Sequence, residues 1–362
     1  MRMSGGAMLL WMMISLIGHG TCLSAVTQKA SRDGSPGPLR PLCNGHADLC
    51  DRRFSNITHV AAHNSPFNEF GNPGSNQVED VETQLNDGVR MLQFQTRVRD
   101  GVVHMCHTSC WILDAGPLVD LLRLVMTWLS VHPYEVVTLL MGNGDRIPAA
   151  NFTSPMVDSG LVDYVYEPPQ GNMDLDSWPT LADMIQNGTR AVVMLDYGAD
   201  ARTVPYLIDE FAVMWETPFS PTDATFPCTP DRPPGANEST RRSTMIMANH
   251  NLNQNFSIGG QEILVPEYDE IYDTNADQGN GSVGEAVARC IRDWNRPPTF
   301  ILVDFYRQGN FPGSVMSAAA AANGIDSVRP SVNGALPHKA GCGKTEMALI
   351  FTLLWLISEL VL

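Results

Sequence analysis

The stretch ITHVAAHNS, residues 57–65, is an apolar run that stops in His63, Asn64 and Ser65. Small and β-branched side chains suit a strand covered on both faces, and the polar triplet suits the point where it meets water. The pattern returns in VRMLQFQ (89–95), EVVTLLMG (135–142), VDYVYE (162–167), AVVMLDY (191–197), FAVMWE (211–216), STMIMANH (243–250) and TFILVDFY (299–306). Helix-like stretches lie between many of them, most clearly Gly116 to Ser130, Val283 to Asn295 and the Ala-rich Ser317 to Asn323. Eight strands alternating with helices over about 250 residues predict an α/β fold, a single closed TIM-type (β/α)8 barrel that tolerates irregularity. An open doubly wound sheet is the alternative. No Gly-rich phosphate loop follows the first run, which argues against a dinucleotide-binding version. The Pro- and Thr-rich residues 217–242 read as a long surface loop.

Chemistry in such barrels sits at the C-terminal ends of the strands. There the sequence places His63 and Asn64, then Gln93 and Gln95, Asn143 and Asp145, Asp196, Asn249 and His250, and finally Asp304. Closure would put the last strand beside the first and the second strand on its other side. His63 would then lie between Asp304 and His107. A carboxylate that orients one imidazole, with a second imidazole across the cavity, suits attack of a hydroxyl on a phosphodiester. His63 would take the proton and protonated His107 would return one to the leaving oxygen.

His107 lies in VVHMCHTSC (102–110), which also holds His104, Cys106 and Cys110. Asp100-Gly101 is a tight-turn pair, so this stretch should return antiparallel to the second strand. On an extended strand Val103, Met105 and His107 share one face while His104 and Cys106 share the other. Four ligands do not converge from such a strand, so no metal site is expected. A Cys106–Cys110 disulfide that stiffens the loop carrying His107 is the better reading.

The chain ends set the compartment. Arg2, the apolar run Ala7 to Ile17 and small residues at Ser24 and Ala25 have the layout of a secretory signal peptide, residues 1–25. A flexible leader follows at 26–42, then the barrel domain at 43–325 and a linker at 326–333. The triplet Asn333, Gly334, Ala335, a polar spacer and the apolar tail 347–362 form the pattern of a GPI-anchor signal, 334–362, with Asn333 as attachment site. A single transmembrane helix is the alternative, weakened by shortness and by Glu359. The expected location is the outer face of the plasma membrane or the cell wall.

A formal charge of −16 makes nucleic acid a poor partner, and attachment to an anionic membrane by charge alone is equally disfavoured. Of eight cysteines, Cys22 and Cys342 leave with the processed ends. The remaining Cys43, Cys50, Cys106, Cys110, Cys228 and Cys290 suit three disulfides in an oxidising compartment. Several connectivities are open. Short loops favour Cys43–Cys50 and Cys106–Cys110, leaving Cys228–Cys290. Sequons at Asn56, Asn151, Asn187, Asn237, Asn255 and Asn280 offer glycan sites.

With these residues in place, THVAAHNSPF, GVRMLQFQTRVRDGVVHMCHTSC, EVVTLLMGNGD, WPTLADMI, AVVMLDYGAD, MWETPF, FPCTPDRP and ILVDFYRQGN resemble the phosphatidylinositol-specific phospholipase C X-domain superfamily, in particular its secreted fungal-type PLC-like phosphodiesterase branch. The resemblance spans roughly residues 43–325. It implies a β/α barrel that cleaves phosphodiesters by His/His acid–base chemistry, with His63 the general base, His107 the general acid and Asp304 the carboxylate behind the base. Calcium-dependent members carry acidic residues at the end of the second strand. Gln93 and Gln95 stand there instead, and neutral amides do not replace two carboxylates around a hard cation. No metal and no cofactor is therefore expected. Metal-independent members place an arginine where Gln95 lies, and Arg97, two residues on and on the same face, is the nearby substitute.

Two functions follow. One is a GPI-anchored, monomeric surface phosphodiesterase acting on a phosphoinositide-like, GPI-like or glycerophosphodiester substrate held by Asn64, Gln93, Gln95, Arg97, Asp196 and His250. The other is a catalytically impaired barrel that binds a sugar phosphate or wall component. Arg97 discriminates between them: in the cavity it favours catalysis, and turned to solvent it favours binding. No Gly-x-Ser-x-Gly elbow occurs, which argues against a serine triad.

Overall fold

Alternation of side chains along a strand sorts this chain into two hydrophobic layers. In strand β1, His59–Ala62, Val60 and Ala62 join one cluster while Ala61 joins another. The computed structural model, which describes residues 42–169, 173–258, 261–309 and 313–326, repeats this division strand after strand. The expected signal peptide, the leader up to residue 41, the linker beyond 326, Asn333 and the anchor signal lie outside the described residues.

The other strands are β2 (Met91–Arg99), β3 (Val102–His107), β4 (Leu113–Pro117), β5 (Val137–Asn143), β6 (Ala191–Leu195), β7 (Leu207–Asp209), β8 (Met214–Glu216), β9 (Met245–Asn249), β10 (Asn253–Ile258), β11 (Gln261–Pro266) and β12 (Phe300–Val303). Eight of them run parallel in the order β7-β6-β5-β2-β1-β12-β9-β8. The outer layer packs against helices such as Leu118–Val131, which buries Leu118, Leu121, Leu122, Val125, Trp128 and Leu129 on one stripe. The inner layer is Met-rich: Met91, Met194, Met214, Met245 and Met247 fill it with Leu140, Phe300 and Leu302.

The closed barrel is corrected to an open one. Parallel pairing needs a crossover of about a dozen residues. Only the four-residue turn Glu210–Val213 separates β7 from β8, so these neighbours in sequence form the two edges of the sheet. One predicted strand is also replaced. Within 162–167 the chain makes a 3-10 turn, Leu161–Tyr164, and touches the sheet through a single bridge, Val165 to Ala191. One edge of β6 is taken by β5, and from Val193 onward the other is taken by β7, so no ladder is left for this segment.

The hairpin is as expected. Asp100 and Gly101 both have positive φ, 51° and 79°, and β3 pairs antiparallel with β2. The three disulfides are Cys43–Cys50, Cys106–Cys110 and Cys228–Cys290. Residues 217–242 are mostly irregular, with a short helix starting at Glu238. No described helix is long and apolar enough to cross a membrane.

Candidate active site

The inner-layer parity of each strand, followed to and just beyond its C-terminal end, supplies the lining of one cavity. Ala61 leads to His63; Met91 leads to Gln93, Gln95 and Arg97; Leu140 to Gly142 and Gly144; Met194 to Asp196; Met214 to Glu216; Met247 to Asn249. The cavity has a volume of about 230 Å³. Asp304 continues the parity of Phe300 and Leu302 but lies fully buried behind His63.

His63 Nδ1 stands 2.7 Å from Asp304 Oδ1. The amide nitrogen of Asn64 stands 3.1 Å from His63 Nε2 and also donates to Asn76 Oδ1 at 3.0 Å. Asn76 in turn donates to Asp304 Oδ1 at 2.9 Å. Asn64 is buried, with its own N–H held by Gln93 Oε1. The structure thus puts Asn64 among the supports of His63 rather than on the cavity wall.

His107 is placed less openly than expected. Its ring packs edge-on against Phe67, centroids 5.3 Å apart, and its Nδ1 is buried without a hydrogen-bond partner among the described residues. A Cβ on Gly74 would lie 3.3 Å from that nitrogen, so the glycine makes room for the ring. Burial first, and then the charge of a protonated His63, lower the His107 pKa to about 4. The ring is therefore neutral in the free protein at pH 7, not protonated as the sequence suggested.

Arg97 lines the cavity, but its Nη1 donates to Asp145 Oδ1 at 2.8 Å and to Gly144 O at 3.0 Å. Its charge is therefore shared with a carboxylate. Arg146, also on the lining, stacks over Tyr197 with its Cζ 4.3 Å from the ring centre. His250 does not reach the cavity. It follows Asn249 and so points the other way, buried, with Nε2 at 2.8 Å from Thr274 O and the ring 3.8 Å from that of Phe226.

The far wall was not foreseen. Glu210 and Glu216 are both fully buried, and Arg232 holds Glu216 through two 2.8 Å bonds. Among the described residues no donor reaches either carboxyl oxygen of Glu210, which lies beside the Glu216 carboxyl. Burial first, then the charge of Glu216, push the Glu210 carboxyl well above its usual range. Glu216 ends the MWE run and obeys the strand-end rule. Arg232, in the Pro-rich loop, and Asn76, in a loop after β1, carried no signal of their own.

The calcium that the resemblance implies for calcium-dependent members does not fit this donor set. Gln93 Oε1 already accepts the Asn64 N–H at 2.9 Å, and Gln95 Oε1 accepts the Thr108 N–H at 3.2 Å. Two neutral, engaged carbonyls leave no carboxylate pair for a hard cation at the end of β2.

The comparisons agree with this architecture. The PI-PLC X 1 family matches residues 49–321. An uncharacterized secreted protein of Arthroderma benhamiae is 52% identical over 302 residues, 83% of this chain and 68% of that protein. A PI-PLC X domain-containing protein 1 of the same fungus is 42% identical over 289 residues, 78% of this chain and 90% of its own length. Among solved structures, a double mutant of the phosphatidylinositol-specific phospholipase C of S. aureus superposes with a TM-score of 0.50 at 14% identity, over 77% of this chain and 96% of that one. That likeness concerns the fold. By the span of the family match and the identity to its curated relatives, the chain belongs to the PI-PLC X-domain family.

Proposed function

We infer that this chain is a phosphoric diester hydrolase of the secretory pathway, acting without calcium on a phospholipid-type substrate with a polyol headgroup. The carrying observation is the 2.7 Å contact between Asp304 and His63 at a cavity lined by Gln93, Gln95 and Arg97. His63 Nε2 takes the proton of the attacking hydroxyl as its oxygen bonds to phosphorus. The bond from phosphorus to the leaving oxygen breaks, and His107 supplies the proton that oxygen needs. Neutral His107 takes that proton from solvent as an anionic phosphodiester binds beside it, because opposite charge favours the imidazolium. Arg97 and Arg146 balance the phosphate charge. Asp196, Glu216, Arg232 and Asn249 offer the far wall for hydroxyl groups.

Fully exposed Phe70 and Trp111, with Ile112 half exposed, sit on the two loops flanking His107 and suit an approach to lipid. Asn72 Nδ2 joins these loops through Ile112 O at 3.3 Å. The six sequon asparagines are all exposed, in keeping with glycans on a secreted protein. Attachment through a GPI anchor at Asn333 remains part of the proposal, as does a monomeric state.

The test is hydrolysis of phosphatidylinositol vesicles, a GPI-linked reporter and a soluble glycerophosphodiester, each with and without chelator. Cleavage that survives chelator and falls about 10²–10⁴-fold in His63→Ala and in His107→Ala supports the reading. Wild type and a double His63→Ala/His107→Ala variant behaving alike on every substrate would sink it. The Arg97–Asp145 pair favours a second reading, a binding protein that holds a sugar phosphate without cutting it. Saturable binding of inositol phosphate with no turnover would select that one.

A further inference from the structure

The hydrogen bonds behind His63 have only one consistent direction. Asp304 is fully buried and its carboxylate accepts from both His63 Nδ1 and Asn76 Nδ2, at 2.7 and 2.9 Å. Asn76 thus turns its nitrogen toward Asp304 and keeps its carbonyl for Asn64, whose Nδ2 donates to it at 3.0 Å. The same Asn64 nitrogen is 3.1 Å from His63 Nε2. An amide nitrogen only donates, so Nε2 must hold a lone pair there. Turning Asn64 over would set its carbonyl against that of Asn76. Turning Asn76 as well would set a carbonyl against the Asp304 carboxylate. Neither side chain has room to escape: both are buried, the Asn64 N–H is held by Gln93, and the Asn76 backbone bonds Phe67 O and Phe305 N at 2.9 and 2.8 Å.

We propose that Asn76 is a positioning residue that reinforces the His63 tautomer Asp304 selects at Nδ1, through a relay from Asp304 to Asn76 to Asn64 that holds an amide donor against the Nε2 lone pair. Its catalytic consequence rests on the acid–base reading above; the tautomer does not. An arriving hydroxyl displaces one hydrogen of the Asn64 amide from Nε2, and the other stays on Asn76. After proton transfer the new Nε2–H faces that amide donor to donor, which favours passing the proton on.

The experiment is ¹⁵N spectroscopy of histidine-labelled protein, paired with pH profiles on a soluble phosphodiester. Wild type at neutral pH shows His63 with Nδ1 protonated and Nε2 bare. In Asn76→Ala, Asn64 is free to turn and offer its carbonyl to Nε2 while Asp304 still accepts from Nδ1, so the doubly protonated ring is favoured and the acid limb of kcat/KM moves up by about one pH unit. The accompanying fall in kcat is roughly tenfold, with KM changed by less than about threefold. A wild-type ring protonated on Nε2 overturns the proposal, as does an Asn76→Ala variant whose ring takes its second proton at the wild-type pH with an unmoved acid limb. If that variant melts before it can be measured, Asn64→Ala, which removes the amide donor from Nε2, replaces it, with the same upward shift expected and an unmoved ring counting against the relay. Should the variant ring take its proton at higher pH while wild type cleaves no phosphodiester, the relay stands and the proposed function falls.

Discussion

Gly144 leaves the space that Arg97 fills: a Cβ there would lie 2.8 Å from both Nε and Cζ of the guanidinium. Substituting Gly144→Ala must push Arg97 off its Asp145 and Gly144 partners. The closest clash is with a flexible side chain, but the backbone Thr96 O would lie 3.1 Å away, so stability should fall by about 1–2 kcal/mol. If Arg97 balances the phosphate, Gly144→Ala and Arg97→Ala should lose activity alike, about 10–10³-fold in kcat/KM. Full activity in both variants would remove Arg97 from the mechanism and leave Arg146 in its place.

Three buried imidazoles forecast the acid limit of stability. His59, His107 and His250 each have a pKa lowered from 6.5 to about 4, in every case mainly by burial. Above pH 6.5 these rings are neutral both folded and unfolded, and their share of the stability is complete. As pH falls from 6.5 toward 4 the unfolded rings take protons that the folded ones refuse. Each should remove on the order of 1–3 kcal/mol across that window. Chemical denaturation at pH 7.5, 6, 5 and 4 measures the loss. A flat profile down to pH 5 would contradict the burial of these rings.

Glu210 has the opposite linkage. Its folded carboxyl binds a proton well above the range where an unfolded glutamate loses one. Its contribution is therefore intact at low pH and erodes as pH rises above about 4.5, the onset set by the unfolded group. Glu210→Gln keeps the shape and removes the titration. The variant should match wild type near pH 4 and exceed it by on the order of 1–3 kcal/mol at pH 8. Equal stability at both pH values would show that the carboxyl is solvated in the native state.

Exposed aromatic side chains at the mouth separate lipid contact from chemistry. Phe70→Ala combined with Trp111→Ala should leave the melting temperature and the turnover of a soluble phosphodiester unchanged, since neither side chain packs on the core. Cleavage of substrate in vesicles should drop about tenfold or more, because two large apolar side chains no longer enter the interface. Equal losses on both substrates would place these residues in the site itself.

Much of this was legible because strand parity is a local rule. His63, Gln93, Gln95, Arg97, Asp196 and Asp304 all follow from counting along an apolar run, but the strand-end reading took His250 for a substrate ligand where the alternation puts Asn249 on the cavity. The Asp100-Gly101 turn likewise announced the β2–β3 hairpin, since both positions accept positive φ. Local rules failed where spacing between elements decided the outcome. FAVMWE looked like a whole strand, but the turn at Glu210–Val213 consumed half of it and held the sheet open.

The sequence by itself determined which side chains face inward and that they meet water at strand ends, because a pleated chain alternates with period two whatever surrounds it. Only the tertiary structure decided the states of those groups. Packing on Phe67 keeps His107 neutral, Asp145 claims Arg97, and Arg232 comes from a distant loop to hold Glu216 beside Glu210, whose carboxyl burial pushes upward. Burial and charge are set by neighbours far away in the chain, and no count of residues along one strand contains them.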